Sequence, residues 1–312
     1  MNISSIVIAG AGAMGSSMAQ IYAKYFDKVT LYNHREESLK KAEVRIKENV
    51  DTLVKSGNMT EKEADRLLGS LSYTTSMDCF KDCDFVAENL TENVEIKDTF
   101  YKELSDVVSD NAIITTNTSG LSINRLAQSV KKPERFIGMH WFNPPHLVPL
   151  IEIIKGDATT EEVAKDIYDL SLKIDKKPVI VNKDVPGFAA NRLQFAVLRE
   201  ALDLVKKGVV SPEGIDDVMK YGLGFRYACL GPLEVSDFGG LDTFYHISEY
   251  LMKDLCDDKE PPELLKEHYE AGEYGVKSAK GFYDYSDGRD RIATGERDEK
   301  FLKVYHALYD NK

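Results

Sequence analysis

The 312-residue sequence has no long apolar run, and no stretch approaches the roughly 20 consecutive apolar residues needed to cross a bilayer. Its N-terminal stretch, MNISSIVIAG, also lacks the basic region and cleavable apolar segment of a secretory signal. These two absences predict a protein that has no membrane partner and is located in the cytoplasm.

Cysteine is scarce, and positive charges are outnumbered by negative ones, 40 Lys and Arg against 52 Asp and Glu. The four cysteines, Cys79, Cys83, Cys229 and Cys256, form no CxxC motif, and the histidines show no metal-ligand spacing. We therefore expect reduced packing cysteines and no metal. A formal net charge of -12 argues against a nucleic-acid surface. An anionic ligand must then be attracted by local dipoles and a few placed cations.

The first half of the chain alternates short apolar runs with amphipathic stretches, a pattern typical of βαβ units and a mostly parallel sheet. Strands are predicted at eight places: 5–10, 28–32, 71–75, 84–89, 112–117, 135–141, 149–154 and 177–181. Residues 36–68 have helical periodicity that is interrupted at Gly57 and Asn58. Thr60 and Glu63 form a capping-box signature there, so this region is predicted to be a helical hairpin inserted into the sheet domain.

From the stretch DVPGFAANRL onward the strand pattern disappears and helical periodicity dominates. The predicted fold is therefore an α/β, doubly wound, Rossmann-type domain with a helical-hairpin insertion, followed by an all-α C-terminal domain. We predict a dinucleotide-binding domain over residues 1–184 and a helical domain for substrate binding and dimerisation over residues 185–312.

The first predicted strand runs directly into a glycine-rich turn of the form GxGxxG, and a helical pattern follows. In such a turn the first glycine permits the tight bend, the second lets the backbone approach a pyrophosphate, and the third allows close helix packing. The anion then sits at the helix N-terminus. The predicted cofactor-binding residues of this turn are Gly10, Gly12, Ala13, Met14 and Gly15.

The second predicted strand ends at Asn33, where an Asp or Glu that holds the adenosine ribose is expected. Loss of that carboxylate removes repulsion toward a 2′-phosphate, and Arg35 is placed to pair with one. Alternatively, Asn33 binds the ribose and Arg35 is merely solvated. NAD and NADP are therefore both retained as the predicted cofactor.

Glu152 lies in an aliphatic run that reads as a buried strand, where an ionised acid requires a partner. His140 is the first candidate. If residues 135–141 and 149–154 form an antiparallel pair, positions 140 and 152 are equidistant from His146 and face each other at about 5 Å between Cβ atoms. A carboxylate in that position fixes the imidazole tautomer and stabilises an imidazolium.

Eight motifs carry a resemblance that covers nearly the whole chain. In chain order they are GAGAMGSSMAQ, TENVEIKDTF, TTNTSGLSI, GMHWFNPP, PLIEII, DVPGFAANRL, GPLEVSDFGGLDT and KSAKGFYDY. Together they resemble the L-3-hydroxyacyl-CoA dehydrogenase family, which includes 3-hydroxybutyryl-CoA dehydrogenases. The resemblance implies a homodimer and a His–Glu pair that works between the two domains, with His140 as the acid–base residue and Glu152 as its partner.

The resemblance also implies roles for residues that spacing alone would not single out. Ser119 and Asn191 correspond to residues that contact the substrate oxygen, and both types can hydrogen-bond an alcohol and its ketone. Asn143 either contacts substrate or braces the Asn-Pro turn. The further cofactor contacts that the family implies are Glu92, Lys97, Asn117 and Lys277.

The expected substrate is a short-chain 3-hydroxyacyl-CoA, although the hairpin departs from the family pattern. Family members contact CoA with a serine and a lysine there, and the nearest residues in this chain are Asn49 and Lys55, the lysine being offset by about one residue. NPPHLVPLIE and LGFRYACLGPLE also resemble the branch of lambda-crystallin, L-gulonate 3-dehydrogenase and carnitine dehydrogenase. In that branch Arg226 would clamp the carboxylate of a small free hydroxy acid. A non-catalytic, crystallin-like dinucleotide-binding protein is a third hypothesis.

Overall fold

The computed structural model describes residues 3–309, and the chain divides into two compact units, one ending at Asn191 and the other beginning at Arg192. The division falls a short way beyond Asp184, where the sequence pattern placed the domain boundary. The segment 185–191 stays with the first unit because its backbone and side chains hydrogen-bond to Glu152 and Ser119 of that unit.

The first unit is built on one eight-stranded sheet with the order β3-β2-β1-β4-β5-β6-β7-β8. Its strands are Ile6–Ala9 (β1), Val29–Tyr32 (β2), Leu71–Thr74 (β3), Phe85–Glu88 (β4), Ile113–Thr116 (β5), Phe136–Trp141 (β6), Leu150–Ile154 (β7) and Lys177–Val181 (β8). All eight predicted strands are confirmed. The order of the first six strands is that of a dinucleotide-binding sheet, in which ligands bind beyond the carboxyl ends of the strands where the order reverses.

Helices cover both faces of the sheet, because alternate residues of each strand point to opposite sides. In β1, Ile6 and Ile8 belong to one buried apolar cluster, while Val7 and Ala9 belong to the other. The helices of this unit are Ala13–Ala23 (α1), Glu36–Lys55 (α2), Glu61–Gly69 (α3), Val94–Val107 (α4), Ile123–Ala127 (α5) and Glu161–Lys173 (α6).

The predicted helical hairpin is confirmed as α2 and α3. The turn between them contains Gly57 with φ +74°, a conformation that glycine adopts without a Cβ penalty. Thr60 accepts a hydrogen bond from the Glu63 N–H, and the Glu63 carboxylate accepts one from the Thr60 N–H at 2.8 Å. The capping box therefore starts α3 where the sequence placed it.

One strand pair breaks the parallel pattern. β6 and β7 run antiparallel, whereas every other neighbouring pair in the sheet is parallel. In the β6–β7 register His140 lies directly opposite Glu152, which confirms the predicted pairing.

The second unit is helical over the residues that the structure describes. Its helices are Ala190–Lys206 (α7, which begins in the first unit), Pro212–Val218 (α8), Gly224–Tyr227 (α9), Pro232–Gly239 (α10), Leu241–Leu251 (α11), Glu263–Glu270 (α12) and Arg289–Tyr309 (α13). A π-helical stretch, Met219–Leu223, connects α8 to α9. Within residues 3–309 no helix is both long and apolar enough to span a membrane.

Candidate functional site

The glycine-rich turn between β1 and α1 is shaped by two glycines that have no room for a side chain. Gly10 has φ +111°, and a Cβ added there would lie 2.5 Å from the backbone oxygen of Asn89. A Cβ on Gly15 would lie 1.8 Å from the backbone oxygen of Gly10. Gly10 therefore permits the tight bend, and Gly15 lets α1 pack closely on the turn.

Gly12 differs, because a Cβ built on it meets no atom within 4 Å. It is the N-cap of α1 and supplies no side-chain cap to the helix, whose first turn contains Ala13 and Met14. The unpaired N–H groups and the positive end of the helix dipole make such a terminus an anion site. The open face at Gly12 thus fits the pyrophosphate of a dinucleotide.

The turn after β2 contains the predicted ribose-binding position. The side-chain oxygen of Asn33 accepts a hydrogen bond from the Arg35 N–H at 2.9 Å, while the Arg35 side chain is exposed. The Asn33 amide group therefore braces its own turn through its oxygen, which is a common use of asparagine.

His140 and Glu152 form a buried pair in the sheet. His140 is 3% exposed and Glu152 is 1% exposed. The imidazole Nδ1 lies 2.9 Å from Glu152 Oε2. Because an ionised carboxylate only accepts hydrogen bonds, Nδ1 carries the proton and Nε2 presents its lone pair. This is the tautomer that a general base requires.

The other carboxylate oxygen of Glu152 is held by the backbone. Oε1 accepts hydrogen bonds from the N–H groups of Ala189 at 3.0 Å and Ala190 at 2.8 Å, where α7 begins. Burial alone would raise the pKa of Glu152, but the hydrogen bonds from His140, Ala190 and Ala189 outweigh it and lower that pKa below its ordinary value. Glu152 is therefore a stable anion beside the imidazole.

Ser119 lies on the Nε2 side of the imidazole, and Asn191 contacts Ser119. The Ser119 hydroxyl is 3.2 Å from His140 Nε2. The Asn191 side-chain amide donates to the backbone oxygen of Ser119 at 3.0 Å. The structure thus brings together the four residues that the sequence predicted as catalytic: His140, Glu152, Ser119 and Asn191.

The turn that carries Ser119 is fixed by Glu92. Its Oε1 accepts hydrogen bonds from the Thr118 hydroxyl, from the Ser119 N–H at 3.0 Å and from the Gly120 N–H at 3.3 Å. The side chain of Glu92 is nevertheless 44% exposed. Glu92 therefore anchors the turn that carries Ser119, while part of its side chain stays accessible to solvent beyond the end of β4.

Asn117 uses both ends of its side chain to join neighbouring strands. It donates to the Asn89 side-chain oxygen at 2.8 Å and accepts from the Trp141 N–H, also at 2.8 Å. Because Trp141 follows His140 in β6, Asn117 holds the strand end that carries the imidazole.

Lys97, which is predicted as a cofactor contact, forms a buried ion pair. It is fully buried, and its Nζ lies 2.6 Å and 2.7 Å from the two carboxylate oxygens of Glu88. Glu88 also accepts hydrogen bonds from the hydroxyls of Tyr101 at 2.6 Å and Thr116 at 2.7 Å. The Lys97 Nζ also lies 3.7 Å from Glu92 Oε2, so it supports the side chain that anchors the Ser119 turn, and its contact with the cofactor stays a prediction.

Two aromatic rings against His140 were not predicted as functional. The Phe142 ring centroid lies 4.5 Å from that of the imidazole, and the Phe188 centroid lies 5.7 Å away. Both residues occur in motifs that resemble the family, GMHWFNPP and DVPGFAANRL. The motifs that contain these two residues were therefore recognisable in the sequence. An apolar ring has no acid–base or hydrogen-bonding group, however, that would indicate a functional role.

Four of the other predicted residues have exposed side chains, and their roles stay predictions. Asn143 is exposed in the turn after β6, and Lys55 is exposed at the end of α2. Lys277 and Arg226 are exposed residues of the second unit. Over residues 3–309 no three His, Cys, Asp or Glu side chains are grouped so as to hold a metal ion.

Comparison with known proteins identifies both units. Residues 5–185 match the model of the 3-hydroxyacyl-CoA dehydrogenase NAD binding domain, and residues 187–285 match that of the 3-hydroxyacyl-CoA dehydrogenase C-terminal domain. A probable 3-hydroxybutyryl-CoA dehydrogenase of Deinococcus radiodurans is 38% identical over 279 residues, which cover 89% of this chain and 99% of the relative.

A second relative matches over a greater length. The 5-formyl-3-hydroxy-2-methylpyridine 4-carboxylate 5-dehydrogenase of Mesorhizobium japonicum is 34% identical over 98% of both chains. A crystal structure of a dehydrogenase described by the same reaction, and as an NAD⁺-dependent dismutase, superposes with a TM-score of 0.90 at 32% identity over 100% of both chains.

These matches agree with the fold and with the glycine-rich turn between β1 and α1. The chain is an oxidoreductase of the 3-hydroxyacyl-CoA dehydrogenase type with a nicotinamide cofactor. It belongs to the 3-hydroxyacyl-CoA dehydrogenase family.

Proposed function

We propose that this protein interconverts a 3-hydroxyacyl compound and its 3-keto form, with His140 as the acid–base residue. The observation that carries the proposal is the contact of His140 Nδ1 with Glu152 Oε2 at 2.9 Å, which leaves Nε2 facing the Ser119 hydroxyl. When bound, the nicotinamide accepts or supplies the hydride.

In the oxidation direction His140 Nε2 takes the proton of the substrate hydroxyl. Hydride leaves the carbon that bears this hydroxyl, and the carbon–oxygen bond becomes a carbonyl. The imidazolium that forms is stabilised by the Glu152 carboxylate. In the reverse direction Nε2–H returns the proton to the developing alkoxide. In this proposal Ser119 donates a hydrogen bond to the substrate oxygen, and the Asn191 amide supports it by donating to the Ser119 backbone oxygen.

The first candidate substrate is a short-chain 3-hydroxyacyl-CoA. The family models match most of the chain, and the Deinococcus radiodurans relative is named for a CoA thioester. In this proposal Lys55, exposed at the end of α2, contacts the CoA moiety.

The second candidate is a small acid without CoA. It is supported by the match over 98% of both chains to a dehydrogenase named for a pyridine carboxylate. The helix α13, Arg289–Tyr309, lies beyond residue 285, where the C-terminal family model ends, whereas the match to this dehydrogenase covers 98% of the chain. In this proposal Arg226, which is exposed, binds the substrate carboxylate.

Hydride transfer distinguishes the candidates. The protein is mixed with NADH or NADPH and, separately, with acetoacetyl-CoA, acetoacetate and a formylpyridine carboxylate. The formylpyridine carboxylate is also tested with NAD⁺ and NADP⁺, because oxidation of its aldehyde needs the oxidised cofactor, and the reduced cofactor is followed by absorbance. Hydride transfer with acetoacetyl-CoA alone supports the first candidate, and the Lys55→Ala variant should then raise KM. Hydride transfer with a free acid alone supports the second, and the Arg226→Ala variant should raise KM instead. No hydride transfer with any of them contradicts the enzymatic proposal and favours a non-catalytic dinucleotide-binding protein.

Cofactor choice is tested at the end of β2. The Asn33→Asp variant places a carboxylate beside the 2′ position of the adenosine ribose, which repels a 2′-phosphate. If Arg35 serves such a phosphate, the ratio of kcat/KM for NADPH to that for NADH falls in this variant. An unchanged ratio contradicts the role proposed for Arg35.

We further propose that the active form is a homodimer. Within the described part of the second unit only Leu202 and Val235 are buried apolar residues, whereas Phe225, Leu233 and Phe238 are 70%, 80% and 81% exposed. Apolar surface of this kind is normally covered by a partner. Light scattering should give twice the chain mass, and the Phe238→Glu variant should reduce it.

A further inference from the structure

Phe188 has a backbone conformation that is unfavourable for a residue with a Cβ. Its φ is +51°, in the left-handed region, and it follows Gly187 at φ +76°. Glycine adopts this region readily, and a bulky side chain does so rarely. Non-glycine residues in such conformations cluster at functional sites, where the surrounding structure holds them. The conformation of Phe188 therefore needs an explanation beyond the turn itself.

The contacts of the Phe188 side chain and of the backbone that follows it explain this conformation. The next two N–H groups, those of Ala189 and Ala190, both reach Glu152 Oε1. The Phe188 ring is 1% exposed and packs against His140 with an angle of 62° between the two rings. One residue thus touches the imidazole with its side chain and directs the following backbone to the carboxylate that orients the same imidazole.

We propose that Phe188 is a positioning residue for the His140–Glu152 pair. Its ring limits rotation of the imidazole, and its left-handed backbone turns the Ala189 and Ala190 N–H groups toward Glu152. The proposal rests on the proposed role of His140 as the acid–base residue. The simpler alternative is that Phe188 only fills the apolar cluster to which its ring belongs.

Phe85 provides a matched control for that alternative. It is 0% exposed in β4 and packs against Tyr22, with the ring centroids 5.7 Å apart. The variants Phe188→Leu and Phe85→Leu remove the same atoms from buried positions, so both lower stability. Only the first removes a ring that contacts His140.

The expected result for Phe188→Leu is a fall in kcat on the order of 10²-fold, because a small misplacement of a reacting group has effects of that size. KM and the dissociation constant of NADH should stay unchanged. Phe85→Leu should leave kcat close to the original value. If Phe188→Leu does not fold, the Phe188→Met variant replaces it, since methionine fills an irregular buried space without a ring.

The second readout is the ¹⁵N NMR signal of the His140 imidazole, assigned with a His140→Gln variant. In the parent protein it should show one tautomer with the proton on Nδ1, and in Phe188→Leu a mixture of both. This signal needs no substrate. If the parent protein transfers no hydride but Phe188→Leu still alters the tautomer, the proposed function is wrong and the positioning role stands. Equal losses of kcat in the two leucine variants, with an unaltered imidazole signal, would overturn the positioning role.

Discussion

Replacing Glu152 by glutamine changes the tautomer of His140 without changing the shape of the site. Three N–H groups point at the carboxylate, one from the imidazole at 2.9 Å and those of Ala189 and Ala190 at 3.0 Å and 2.8 Å. A glutamine offers one carbonyl oxygen and one NH₂ group, so it cannot accept from both directions. One side must therefore face the NH₂ group.

The glutamine carbonyl oxygen should stay on the side of the Ala189 and Ala190 N–H groups. If the NH₂ group faced Ala189 and Ala190, two buried N–H groups would lose their partner, at about 1–3 kcal/mol each. If it faces His140 instead, the ring moves its proton from Nδ1 to Nε2 and forms a normal hydrogen bond. Nε2 then has no lone pair to accept the substrate proton.

We therefore expect Glu152→Gln to lower kcat by about 10⁴-fold, the size of the effect when an amide replaces the carboxylate beside a catalytic histidine in a serine protease. This corresponds to about 5 kcal/mol of transition-state stabilisation. Steady-state kinetics with the substrate found active measures it, and NADH binding should persist.

The control is Glu162→Gln, a change of the same chemistry at an exposed position of α6. ¹⁵N NMR of the Glu152→Gln variant should show the His140 proton on Nε2. Retention of kcat within about tenfold, or an imidazole still protonated on Nδ1, would refute the reasoning.

Three further predictions concern stability and cofactor binding. Lys97→Met should lower the free energy of unfolding by about 3–5 kcal/mol, because it leaves the Glu88 carboxylate buried without its cation, and adding Glu88→Leu should restore part of that loss in denaturant titrations. Gly15→Ala should prevent correct folding, since its Cβ would lie 1.8 Å from a backbone oxygen, whereas Gly12→Ala should fold normally and weaken NADH binding measured by fluorescence. Because the folded-state pKa of Glu152 is lowered, its contribution to stability is present above pH 4.5 and lost as the pH falls through the folded value, so the melting temperatures of the parent and Glu152→Gln proteins should converge in acid.

Local patterns were sufficient to predict the strands, the helical hairpin and the glycine-rich turn between β1 and α1. Each of these depends on residues close together in the chain: alternating apolar positions, the capping box at Thr60 and Glu63, and the spacing of Gly10, Gly12 and Gly15. The facing of His140 and Glu152 was also predictable, because a single turn joins their strands and fixes the register.

Tertiary structure alone decided how those residues are supported. The amides that hold Glu152 lie 37 and 38 positions further along the chain, and the turn that carries Ser119 is held by Glu92, 27 positions before it. The family resemblance implied a cofactor contact for Lys97, but it did not indicate that the Lys97 ammonium is buried against Glu88. The sequence by itself determined the fold and the facing of His140 and Glu152, since both follow from short-range spacing. The surroundings that tune the pair arise from segments that meet only after the sheet has assembled.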